Sequence, residues 1–164
     1  MITSKNPYTG EVIEEFKEYT KEEINNAIKK ADDRYKTWRK VSFSEKSKLL
    51  KNAAKELRDN KQSYAEDITQ EMGKPIAQAL AEIEKCAWVC EYYAENAENH
   101  LAREIIETDA QKSYVSYEPI GIVLAIMPWN YPFWQVFRFA APALMAGNIG
   151  LLKHASNVMR SANN

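Results

Sequence analysis

Apolar positions along the chain change their spacing at recognisable signals. Met1-Ile2-Thr3 and Val12-Ile13-Glu14-Glu15-Phe16 flank Tyr8-Thr9-Gly10, a turn signal, so residues 1–19 read as an extended start with a β-hairpin. Thr20-Lys21-Glu22-Glu23 is a capping box, and Ile24, Ala27, Ile28, Ala31, Tyr35 and Trp38 follow it at helical spacing. Ser42-Phe43-Ser44-Glu45 is a second box, which opens a helix with Leu49, Leu50, Ala53, Ala54 and Leu57 on one face. Asn60 to Ser63 interrupts that helix, and Tyr64, Ile68 and Met72 continue on another. Gly73-Lys74-Pro75 is a stop and restart, after which Ile76, Leu80, Ile83, Ala87, Cys90, Ala94 and Ala97 predict one long helix. Residues 20–104 thus read as helices. Tyr114 to Pro119 alternates and predicts a strand, placed at 113–119.

The period changes again from Gly121. Ile122 to Ile126 is an apolar run of strand length, broken by Pro128 and Pro132. Phe133, Val136, Phe137, Ala140, Ala141, Leu144 and Met145 then recur at helical spacing. A second short apolar run, Ile149-Gly150-Leu151-Leu152, follows Gly147-Asn148. Residues 121–153 therefore predict one βαβ unit, and the fold class is α/β with a helix-rich N-terminal half.

Composition narrows the partners. The chain has 164 residues, enough for one domain, with 45% hydrophobic and 27% charged residues and a formal net charge of −1. That balance gives no reason to expect nucleic acid or an anionic membrane as partner. No apolar run approaches the ~20 residues that cross a bilayer, and the first residues lack the apolar core of a signal peptide, so the expected compartment is the cytoplasm. Cys86 and Cys90 make no disulfide framework. Four residues apart, they share a helix face; a metal would need further ligands nearby, so core packing is the reading of both.

Chemistry is expected where strands end, because ligands of open α/β sheets sit outside the carboxyl ends of the strands. Trp129 and Asn130 follow the first such end, and Lys153 and His154 mark the second. On the residues alone Asn130 reads as a helix-starting residue, Lys153 as a solvated lysine and Ile126 as core. Lys74 reads as part of a cap between two helices in preference to a phosphate ligand. No glycine-rich phosphate fingerprint follows the first strand.

Pro128-Trp129-Asn130-Tyr131-Pro132 resembles a signature of NAD(P)-dependent aldehyde dehydrogenases. Asn6-Pro7-Tyr8-Thr9-Gly10-Glu11, Glu71-Met72-Gly73-Lys74-Pro75 and Ala143 to Asn148 with Leu151-Leu152-Lys153 resemble further motifs of that family, in its order and at its spacing. Leu152 to Val158 resembles most the bacterial succinate-semialdehyde dehydrogenase branch. The resemblance implies a helix-rich part of the aldehyde dehydrogenase fold with the first βαβ unit of a Rossmann-like cofactor domain, residues 1–164 forming a partial NAD(P)-binding domain.

It also implies roles. Asn130 becomes the amide donor to the oxyanion of the thiohemiacetal, where loss of one donor costs about 10²–10³ in rate. Ile126, Met127, Trp129 and Lys153 become cofactor contacts, although core packing remains equally open for Ile126. Ser156 stands where many NAD-preferring members have a glutamate; a serine removes its repulsion of a 2′-phosphate, so NADP is expected to be tolerated beside NAD. His154 replaces a usual proline and could sit near that phosphate. The strand at 113–119 would belong to an arm that reaches a partner subunit, so a homo-oligomer acting on a small aldehyde is implied.

The family's catalytic cysteine, general-base glutamate and glycine-rich cofactor turn follow the lysine strand. The chain is therefore expected to correspond to the N-terminal part of a longer enzyme and to be inactive alone. The competing expectation is a non-catalytic fragment that pairs with a full-length subunit by strand addition. A weaker one is a helical binding module over residues 20–104.

Overall fold

The structure, a computed structural model, describes residues 1–164. Strands β1 (Ile2–Lys5) and β2 (Val12–Phe16) pair antiparallel as the sequence predicts. Their turn is closed by the Asn6 Oδ1, which accepts from the Tyr8 and Thr9 amides, and by Gly10 at φ +75°. Both capping boxes form. Thr20 and Glu23 open α1 (Lys21–Trp38), and Ser42 and Glu45 open α2 (Phe43–Asp59), with reciprocal side-chain to backbone hydrogen bonds. α3 (Lys61–Met72) ends on Gly73 at φ +71°, the left-handed position that favours glycine, and α4 (Ile76–His100) starts after Pro75.

α4 is the axis of the helical part, packed by α2, α3 and α5. Its Ala79, Ala87, Ala94 and Ala97 are buried, and small side chains let neighbouring helices approach closely. Ile83, Cys86 and Cys90 are fully buried there with Leu57 of α2 and Ile68 of α3, so both cysteines pack in the core.

The helical stripes shift in two places. In α1 only the half from Ala31 to Trp38 is covered; Ile24 and Ile28 stay exposed. In α2 the expected core residue Leu49 is exposed and Lys46 is buried in its stead. The Lys46 ammonium lies 5.8 Å and 5.5 Å from the Trp38 and Phe43 ring centres, where a cation is attracted by the ring faces.

The strand expected over 113–119 is shorter: β4 spans only Tyr114–Val115. It pairs antiparallel with β3 (Glu104–Ile105), which the sequence pattern did not reveal, so the helices end at His100 and not at 104. A two-residue ladder stops there because no third strand pairs with it.

The βαβ unit forms as read. β5 (Ile122–Ile126) and β6 (Ile149–Lys153) pair in parallel, Ile122 with Ile149 through Ile126 with Lys153, and α5 (Pro132–Met145) connects them. Gly150 lets α5 close on the sheet: a Cβ there would meet the Phe139 ring at 3.1 Å. The Asn148 Oδ1 accepts from the Ile120 and Gly121 amides and so fixes where β5 begins. The Trp38 indole N–H donates to Leu144 O at 3.0 Å and the Tyr35 hydroxyl to Pro119 O at 2.9 Å, docking α1 on this unit. The last element is a short helix, α6 (Met159–Asn163).

Candidate active site

A parallel pair puts both strand carboxyl ends at one edge. Ile126 and Lys153 are cross-strand partners, so their side chains share a face, and the Met127 amide donates to Lys153 O at 3.0 Å. Six sequence-predicted residues thus gather at one edge: Ile126, Met127, Trp129 and Asn130 from the β5 end, Lys153 and Ser156 from the β6 end. Ile126 is 67% exposed, so it does not belong to the core of this chain. Trp129 is half exposed, Met127 half buried, and Lys153 and Ser156 are exposed. No carboxylate pairs with the Lys153 ammonium. Ile126, Trp129, Lys153 and Ser156 thus present exposed side chains along this edge.

Asn130 does not cap α5. The N-cap position is Tyr131, with no side-chain cap hydrogen bond. The first amides of α5 are taken by a residue from another helix: the buried Glu82 of α4 accepts from Phe133 N and Trp134 N through Oε1, both at 3.0 Å. A carboxylate at a helix N-terminus is favoured by the hydrogen bonds and by the helix dipole. The Asn130 amide is exposed and makes no hydrogen bond within the chain, so it is free for a ligand.

Lys74 lies in the cap between α3 and α4, as read, but its side chain is turned inward and is not offered to a phosphate. It is buried, ion-paired with Glu82, and its Nζ donates to Asn130 O at 3.0 Å. His154 is also turned inward. It is 6% exposed; its Nδ1 accepts from Ala155 N at 2.8 Å, which leaves Nε2–H to donate to Pro132 O at 2.9 Å. A second buried glutamate works beyond β6. Glu71 of α3 accepts from Ser4 Oγ, Arg160 N, Ser161 N and Ser161 Oγ at 2.6–2.8 Å, so it caps α6 and binds β1.

Glu71, Lys74 and Glu82 were missed as site supports because acidic and basic residues on helices ordinarily face water. A signal was present, since Glu82 lies one residue from Ile83 of the predicted apolar stripe. Cys86 and Cys90 are far from nucleophilic. Burial pushes the Cys86 thiol up, with the Glu82 charge adding, and pushes the Cys90 thiol up to about 12.

Comparison with known proteins places this arrangement. The profile of the Aldehyde dehydrogenase family matches residues 1–163. The chain is 48% identical over 161 residues to a probable NADP-dependent succinate-semialdehyde dehydrogenase of Synechocystis sp., covering 98% of this chain and 36% of the relative. It is 46% identical over 164 residues to succinate-semialdehyde dehydrogenase [NADP(+)] 1 of Mycobacterium tuberculosis, with the same coverages. The chain spans about a third of the length of these curated relatives. Among solved structures, succinic semialdehyde dehydrogenase from Streptococcus pyogenes in complex with NADP+ superposes with a TM-score of 0.95 at 36% identity, covering 99% of this chain and 36% of that one. Gox0499, described for its cofactor and substrate selection, superposes with a TM-score of 0.96 at 34% identity, again over 99% of this chain and 36% of the other.

Proposed function

This chain belongs to the aldehyde dehydrogenase family, and on that premise we propose that it supplies the oxyanion amide and one wall of the NADP site of an enzyme that oxidises succinate semialdehyde to its acid. One observation carries the reading: the Asn130 amide is exposed and uncommitted at the end of β5, while Glu82 does the helix capping that would otherwise explain it.

The chemistry follows from what these residues offer. Attack of a thiolate on an aldehyde carbonyl leaves a tetrahedral oxyanion. An amide N–H stabilises that charge without titrating, and a donor already in place costs no reorganisation. The nucleophile is neither cysteine of this chain, because both are fully buried with raised thiol pKa values. For NADP the exposed residues fit: Lys153 would offer a cation to the ribose hydroxyls, and Ser156 a hydroxyl where a carboxylate would repel a 2′-phosphate. Ile126 and Trp129 would give bound NADP an apolar wall that excludes water, and the cofactor would supply the hydride acceptor.

Oligomerisation is supported by the β3–β4 ladder, whose Ile105, Tyr114 and Val115 face solvent. Strand addition there would join a second subunit.

The test is a chimera in which this chain replaces the matching stretch of the Synechocystis relative. It is expected to oxidise succinate semialdehyde and to reduce NADP faster than NAD. Asn130→Ala in it is expected to lower kcat about 10²–10³-fold with NADP binding unchanged. An unchanged kcat removes the oxyanion role. The 164-residue chain alone is the blank and should show no turnover.

A further inference from the structure

The turn that carries Asn130 is held by charges from a distant part of the chain. Lys74 stands at the α3–α4 corner between Gly73 and Pro75, and its side chain is 6% exposed against 1% for that of its partner Glu82. The Lys74 Nζ donates to Asn130 O at 3.0 Å and lies 3.7 Å from the centre of the Tyr131 ring. Glu82 binds Lys74 through Oε2 and the amides of Phe133 and Trp134 through Oε1.

Joining two helices requires none of this. A buried ion pair loses the hydration of both charges, and apolar residues of similar volume are often at least as stable. What the pair provides is a fixed geometry. Lys74 fixes the peptide that follows Asn130, and Glu82 fixes the start of α5. Only Tyr131 and Pro132 lie between these anchors; Pro132 has a locked φ and restricts Tyr131, and the His154 imidazole donates to Pro132 O. Upstream, Met127 is tied to Lys153 and restricted by Pro128. The backbone that follows Asn130 is therefore held from its own carbonyl to the start of α5, and the strand end three residues before it is tied as well, while its amide is left free.

We propose that Lys74 and Glu82 are positioning residues that set the Asn130 amide for the oxyanion, acting through backbone and never touching substrate. This rests on the oxyanion reading of Asn130 given above. Misplacing such a donor by about 1 Å is enough to cost up to ~10²-fold in rate.

The test uses the chimera and the 164-residue chain. Lys74→Met alone would strand the Glu82 charge, so the informative variant is the pair Lys74→Met with Glu82→Gln. It removes both charges, keeps an oxygen to accept from Phe133 and Trp134, and releases the ammonium's hold on Asn130 O and on the Tyr131 ring. The expected result is a kcat lowered ~10- to 100-fold with KM for NADP unchanged. With Asn130→Ala already present, the pair should lower kcat by less than about twofold, because residues acting as a unit are non-additive. In the 164-residue chain the Tyr131 amide should lose order by NMR relaxation while Phe133 and Trp134 stay slow to exchange.

The proposal falls, alone, if the pair leaves kcat unchanged, if it costs the same factor with Asn130→Ala present, or if the Tyr131 amide stays equally ordered. An Asn130→Ala enzyme with unchanged kcat overturns the oxyanion reading and this proposal together. Should the paired variant not fold, Lys74→Arg decides: it keeps the charge beside Glu82 but puts a wide planar fork in place of a compact ammonium, so the Asn130 carbonyl must move. An unchanged kcat for Lys74→Arg then counts against positioning.

Discussion

At the scale of single residues, the informative contrast is between side chains that are engaged and side chains that are free. Asn130, Lys153 and Ser156 sit at the strand ends exposed and uncommitted, whereas Lys74, Glu82 and His154 nearby are buried and fully used. Ser156 is the simplest to test. In the chimera, Ser156→Glu would place a carboxylate where a 2′-phosphate is expected, so KM for NADP should rise at least tenfold while NAD kinetics hold or improve. Steady-state kinetics with the two cofactors measure it, and an unchanged NADP KM would detach Ser156 from cofactor choice. Asn130 was found through the sequence motif, but its freedom was not visible there, since Asn at a helix start is ordinarily a cap. Only the position of Glu82, 51 residues before Phe133, shows that the cap is already supplied.

At the scale of elements, the hairpin, both capping boxes, the glycine stop and the βαβ unit were legible because each depends on residues close in sequence. What stayed hidden depends on distant partners. β3 is two residues long and exists only through its pairing with β4; Lys46 is buried only because Trp38 and Phe43 meet over it. The link between α2 and α4 also shows this. Arg58 of α2 binds Glu84 and Glu91 of α4, and these contacts hold both carboxyls below their ordinary value. A carboxyl lowered on folding contributes stability above its unfolded value, near 4.5, and loses that contribution as pH falls through the lowered value. Arg58→Ala should therefore lower Tm at pH 7, and the difference from wild type should shrink towards pH 3. Thermal melts of the chain follow it; a difference that is constant with pH would assign the effect of Arg58 to packing.

At the scale of the whole molecule, four helices share one apolar core, and the parallel pair of strands is attached at its side through α1 and α5. Leu124 is 63% and Ile126 67% exposed on the open sheet face, and Ile24 and Ile28 of α1 are exposed as well. Exposed apolar side chains in such number promote association. The isolated chain should show concentration-dependent self-association in sedimentation, and Leu124→Gln should reduce it; an association unchanged by Leu124→Gln would locate the contact elsewhere. The two buried glutamates add a consequence of another kind. Glu82 and Glu71 meet their backbone partners across 51 to 52 and 89 to 90 residues. During synthesis the helices that carry them emerge long before α5 and α6 do. Until those partners arrive, both carboxylates would stand without them, as charges on what will become interior. Charges of this kind keep a half-made chain from aggregating through its apolar surface. The groups that later cap α5 and α6 would thus act first as gatekeepers of the nascent chain, released from that duty only when these two helices close over them.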